Sequence, residues 1–131
     1  MQTIYGKVWI ASLAMTAEED MMLFDHRTYK CRPGAVPLQA KLYEEYGLKP
    51  QTRHLGEPVA WLIAESGELN TFVHIWAYRD AADRAQRRAA MQADPEWRDY
   101  LRRSGEAGHI IEQRTCLMTP AAFMRMPNQE A

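Results

Sequence analysis

The segment Thr71 to Tyr78 constrains the fold of this chain more than any other stretch. Its residues alternate between two kinds: Phe72, His74, Trp76 and Tyr78 are bulky or amphipathic, while Thr71, Val73, Ile75 and Ala77 are small or β-branched. A period of two over this length is the signature of a β-strand with two chemically different faces. We expect the small, β-branched set to lie beneath packed helices and the bulky set to face the other way. Leu23 to Cys31 divides similarly, with Asp25, Arg27, Tyr29 and Cys31 on the face opposite to Phe24, His26 and Thr28. Joining the Asp25/Arg27/Tyr29 face to the His74/Trp76/Tyr78 face gives a half-polar surface. It can line a cavity between the sheet and a partner, or form a polar interface with no ligand in it, since aromatics and arginine are enriched in both.

The remaining elements are read from turn residues and apolar spacing. Pro33-Gly34 ends the first strand. Pro37 to Tyr46 reads as a helix, with Leu38, Leu42 and Tyr46 on one face. Gly47 and Pro50 are expected to kink or interrupt it before it resumes to Leu55 and stops at Gly56. Val59 to Ser66 and Asn70 to Tyr78 form a hairpin around Ser66-Gly67-Glu68-Leu69. Asp80 caps a helix running to Ala93. Asp94-Pro95-Glu96 starts another, expected to end near Arg103, with Gly105 and Gly108 as breakers. His109 to Leu117 is the last strand.

Strand, helix, strand, strand, helices, strand is the ferredoxin-like βαββαβ order. It builds an α+β fold with a four-stranded antiparallel sheet and helices on one face. The other face is left bare, and a second copy of the chain is the economical cover for it. A homodimer is therefore expected. Residues 1–21 do not share the rhythm of the rest of the chain and read as an N-terminal extension; 22–123 form the domain and 124–131 an irregular tail.

Composition excludes several classes. With 16 basic and 17 acidic residues, the chain lacks the positive excess of a nucleic-acid binder. No apolar run approaches the length that spans a bilayer, so neither nucleic acid nor membrane is expected as a partner. Two cysteines, Cys31 and Cys116, are too few for a disulfide framework and read as reduced thiols. The apolar stretch Val8 to Met15 faintly resembles a secretory signal, but its flank carries a single positive charge, Lys7. A cytoplasmic protein is the expectation, with Met15, Met21 and Met22 as further possible starts.

Metal-ligand motifs, phosphate-binding glycine loops and a G-x-S-x-G nucleophile elbow are absent from the sequence, and no metal or cofactor is expected. The candidate chemistry lies on the strands. His74, between aromatics, can act as acid or base near neutral pH, with Arg27 and Tyr29 one strand away to hold a carboxylate or an enolate. The alternative is a histidine that caps a polar network at an interface. Arg53 and His54, at the end of the first helical region, can reach the cavity mouth and grip an anion. Alternatively, Arg53 pairs with Glu57 or Glu68 and His54 favours the helix C-terminus. Arg84, Arg87 and Arg88 read as a solvated helix face, with Asp80 and Arg84 spaced to pair. Trp97, Tyr100 and Leu101 read as core.

Several of these segments have a family likeness. Arg27-Thr28-Tyr29 with Arg32-Pro33-Gly34, then Leu42-Tyr43-Glu44-Glu45 and Gln51-Thr52-Arg53-His54-Leu55-Gly56, stand in order. Gly67-Glu68-Leu69-Asn70, His74-Ile75-Trp76-Ala77-Tyr78, the three arginines and Asp94-Pro95-Glu96-Trp97 come after them. At these positions the chain resembles NIPSNAP domains, from about Arg27 to Phe123. The resemblance implies a dimeric α+β barrel. Its animal members are associated with mitochondria and with vesicle or mitophagy signalling. Related barrels include cofactor-independent monooxygenases, haem-degrading enzymes and small-molecule isomerases, an analogy of fold alone. His26, where the family usually has an aliphatic residue, Cys116, near a position often held by arginine, and the N-terminal extension depart from the pattern.

Three functions stand as expectations. The first is a cavity for a small organic molecule, with cofactor-independent oxygenation or isomerisation as its chemistry. His74 would then be acid or base, Arg27, Tyr29 and Arg53 would orient the anion, His54 would assist at the mouth, and Asp25, Trp76 and Tyr78 would line the wall. The second is a non-catalytic protein-interaction module, and the third a haem-binding or haem-degrading barrel.

Overall fold

A computed structural model describes residues 22–125. The expected N-terminal extension and the end of the expected tail lie outside them. The strands are β1 (Leu23–Cys31), β2 (Ala60–Ile63), β3 (Thr71–Tyr78) and β4 (Ile110–Met118). They form one antiparallel sheet in the order β2-β3-β1-β4, the split βαβ arrangement expected from the sequence. The hairpin connection turns on Gly67 and Asn70, both at positive φ (77° and 66°), and Asn70 accepts a hydrogen bond from the Gly34 amide.

The first helical region differs from expectation. Helix α1 (Val36–Leu42) runs without a break through a π-helical turn (Tyr43–Gly47) into α2 (Leu48–Leu55). The Leu48 amide bonds to the Tyr43 carbonyl, five residues back. That wider turn lets the helix carry on into Pro50, which has no N–H to return to the preceding turn. Gly47 is required for packing: a Cβ there would lie 2.7 Å from Tyr43 Cδ1 and 3.0 Å from the Tyr100 ring.

Helix α3 (Ala81–Ala93) starts as expected, with the Asp80 carboxylate accepting from the Asp83 amide. Helix α4 (Pro95–Ala107) is capped by Asp94 and ends at Gly108, which is left-handed. It passes through Gly105, with Arg102 bridging Asp99 and Glu106 along the last turns. Buried Gln39 ties α1 to α4 and to the residue just before β4, donating to Tyr100 and accepting from His109.

The two sheet faces are reversed relative to the sequence reading. Trp76 and Tyr78 pack beneath the helices with Tyr43, Leu55, Met91, Trp97 and Tyr100. Thr71, Val73, Ile75 and Ala77 belong to the face turned away from them. The cause is the composition of α3, whose arginines and alanines supply little apolar volume, so the sheet must fill the core with large rings. The pairing of the two strands is as expected: Asp25 lies opposite Trp76, Arg27 opposite His74 and Tyr29 opposite Phe72.

Candidate functional site

Because the bulky face points inward, its cavity lies between the sheet and the helices of a single chain. It has a volume of about 220 Å³. Arg27 and Tyr29 from β1, Phe72 and His74 from β3 and Trp61 from β2 form the floor. Tyr43 from the π turn, Gln51, Arg88, Gln92, Trp97, Tyr100 and Ser104 from the helices form the walls, with Ile110 and Gln113 of β4 at one side.

The floor is a stack of rings. Trp61 and Tyr29 flank Phe72 at centroid distances of 4.7 and 4.8 Å, and flank His74 at 5.6 and 5.0 Å. Since β3 runs between β2 and β1, the two flanking rings cover opposite sides of the imidazole. Trp76, two residues along the strand, donates its indole N–H to His74 Nδ1 at 2.6 Å.

This geometry corrects the role expected of His74. Burial, reinforced by the neighbouring Arg27 cation, pushes the imidazole down to about 3, while Asp25 opposes the shift. The ring is therefore neutral at physiological pH. Indole can only donate, so Nδ1 carries the lone pair and Nε2 carries the proton. His74 is a hydrogen-bond donor rather than a base titrating near neutrality.

Charge is supplied by arginines. Asp25 is fully buried and is shared by Arg27 (3.0 Å) and Arg84 (2.9 Å). Arg88 has no ion-pair partner among the described residues, and its guanidinium is held below its usual range by burial and by repulsion from Arg27. One carboxylate thus faces three cations. The phenols add no negative charge: burial raises Tyr43 above its usual range and Tyr100 to about 12. Tyr43 donates to Gln51 at 2.6 Å.

Of the residues expected in the site, Arg27, Tyr29 and His74 come together in the cavity. Asp25, Trp76 and Tyr78 lie behind it, anchoring its residues or filling the core. Arg53 and His54 do not reach it. Arg53 binds Asp94 and Glu96, each at 2.7 Å, in place of Glu57 or Glu68, and His54 donates to Asp94 at 2.8 Å. Both brace the start of α4 instead. The expected Asp80–Arg84 pair gives way to the Asp80 cap and the Arg84–Asp25 bridge. Sequence reasoning missed Arg88, Trp61 and Tyr43. For Arg88 a signal existed: Met91 is the one large apolar residue of α3, and Arg84 and Arg88 precede it by seven and three residues, on the same helix face. No group of three or more His, Cys, Asp or Glu side chains that could hold a metal occurs among the described residues. No helix among them is long and apolar enough to cross a membrane.

A four-stranded ferredoxin-like sheet with its helices on one face defines a class of small α+β domains. The NIPSNAP family profile matches residues 24–125, and the chain belongs to that family. A NIPSNAP family protein of unknown function from Agrobacterium tumefaciens is 39% identical to it. The match covers 79% of this chain and 91% of that one, with a TM-score of 0.72. A NipSnap homologue from Dictyostelium discoideum is 27% identical over 95 residues, covering 72% of this chain and 42% of that protein. The chain thus spans less than half the length of the curated relatives it matches. A Nitrosomonas europaea protein that carries the name of an antibiotic biosynthesis monooxygenase shares the fold at 11% identity and a TM-score of 0.55, covering 79% of this chain and 94% of that one.

Proposed function

We propose that the protein is a homodimer in which each chain binds one small, planar organic anion in the pocket between its sheet and helices. The observation that carries this reading is the surplus of cation over carboxylate around an aromatic-walled cavity, with Arg88 lacking an ion-pair partner among the described residues. An anion would supply the missing countercharge. The volume of about 220 Å³ lies below the usual range of drug-sized sites, which fits a single-ring compound and leaves no space for a haem macrocycle. The domain that carries the described site is taken as residues 22–123, with 1–21 as an extension to it.

The same charges would stabilise an enolate, the intermediate that cofactor-independent oxygenation and isomerisation share. His74 would donate to that oxygen through Nε2–H and would not remove the proton. Titration calorimetry with benzoate tests the binding reading. Arg27→Gln and Arg88→Gln should each weaken binding about tenfold or more, the usual consequence of losing a charge-assisted hydrogen bond. Equal affinity in both variants and the parent chain would overturn the assignment.

A further inference from the structure

We propose that Trp76 is a positioning residue that fixes His74 as a one-way donor, so that the pocket takes a ligand headed by an oxygen acceptor, a carboxylate or an enolate, and refuses one headed by an ammonium. The inference rests on the pocket reading above and narrows it to a chemical class.

Three observations converge on it. The 2.6 Å bond from Trp76 Nε1 occupies the only ring nitrogen of His74 that could accept, which leaves Nε2–H as its free group. The imidazole cannot turn to exchange its nitrogens, because Tyr29 and Trp61 stack on its two faces and Trp76 meets its edge. A second donor is present in the same wall: Trp61 Nε1 is buried and has no hydrogen-bond partner. The Tyr43 hydroxyl lies near that indole, yet no hydrogen bond of acceptable geometry joins them. Buried donors are rarely left unpaired, and a ligand acceptor is what would complete this one. With Arg27 and Arg88 also donor-only, the charged and ring N–H groups of the cavity present hydrogens alone. A planar oxyanion satisfies them, whereas an ammonium meets like charge and finds acceptors only in the amide and hydroxyl oxygens of the walls.

Nitrogen NMR of the ligand-free protein tests the positioning half. The expected result is a His74 signal of the Nε2–H tautomer, unchanged between pH 8 and pH 5, with a scalar coupling across the hydrogen bond from Trp76 Nε1 to His74 Nδ1. Trp76→Phe should abolish the coupling and let the imidazole mix tautomers or titrate. A proton on Nδ1 in the parent chain, or titration near pH 6.5, would overturn the assignment of Trp76 without any variant having to fold. Calorimetry with benzoate and benzylammonium tests the ligand half. Benzoate should bind at least tenfold tighter, and comparable binding of benzylammonium overturns the class. If neither probe binds while the tautomer is as stated, the pocket reading fails and takes the ligand class with it, and the positioning role stands.

Discussion

Protonating His74 means creating a cation beside Arg27 at a buried position between stacked rings. The folded imidazole is pushed down to about 3, against 6.5 when unhindered. Above pH 6.5 the ring is neutral in both folded and unfolded chains and contributes no pH dependence. Below it the unfolded chain takes up a proton that the fold refuses, so stability falls as pH drops towards 3. The slope is on the order of 1 kcal/mol per pH unit. His74→Gln should flatten the denaturation free energy over that window relative to the parent chain, and superimposable slopes would contradict the burial argument. Arg88 gives the opposite kind of test. It is a half-buried cation held without an ion-pair partner, so Arg88→Met should raise the unfolding midpoint, by roughly 1 kcal/mol of stability, while weakening benzoate binding. A variant that is both less stable and unimpaired in binding would contradict this. Part of the floor was legible in the sequence, because strand alternation and register bring Arg27, Tyr29 and His74 together, while Trp61 of the same floor was not. The state of His74 was not, because it depends on an indole two positions away and on helices that the strand pattern does not reveal.

Among the elements, the π turn holds the wall of the site. Tyr43 reaches the cavity because the Tyr43–Gly47 turn is wide, and Gly47 lets that turn sit against Tyr43 and Tyr100. Gly47→Ala should destabilise the fold by about 2 kcal/mol, since neither neighbouring ring can withdraw from a packed core. A thermal midpoint equal to that of the parent would show that the rings yield. At the start of α4, Asp94 accepts from His54, the Glu96 amide and Arg53, and these bonds hold its carboxyl at about 2 against an ordinary 3.8. Its contribution is present above the ordinary value and is lost as pH falls through 2. Asp94→Asn should therefore remove an acid-sensitive step below pH 4, seen by helical circular dichroism. The starts of α3 and α4 were readable from Asp80 and Asp94-Pro95, whose caps act locally, whereas the end of α4 was expected near Arg103 and lies at Ala107. The sidedness of the sheet was not. It is decided by how little volume α3 offers, a property of the partner element rather than of the strand.

For the whole molecule, the reversed sheet changes what a dimer is for. The face turned from the helices carries Phe24, Val73, Ile75, Leu62 and Met118 beside the polar His26, Lys30, Glu112 and Arg114, and Leu62 and Met118 are 57% and 42% exposed. The Thr71, Val73, Ile75 and Ala77 row of β3 lets two such faces approach along its centre, and sheets pack face to face about 10 Å apart. The pocket, in contrast, is walled by one chain, so association and ligand binding are separable. Ile75→Asp would place a charge in the middle of the apposed faces and leave the opposite side of β3 untouched. Sedimentation equilibrium should show the parent chain as a dimer and this variant as a monomer, because desolvating the new carboxylate, even beside His26, costs more than such an interface returns. Benzoate affinity should change by less than about threefold between them, a difference under 1 kcal/mol. The flank formed by β4 is where this separation is most exposed to failure. Ile110 and Gln113 border the cavity on the edge strand, whose residues are largely open to solvent. If the monomeric variant folds but loses benzoate binding, then the second copy closes that flank, and the dimer completes the site instead of merely covering the sheet.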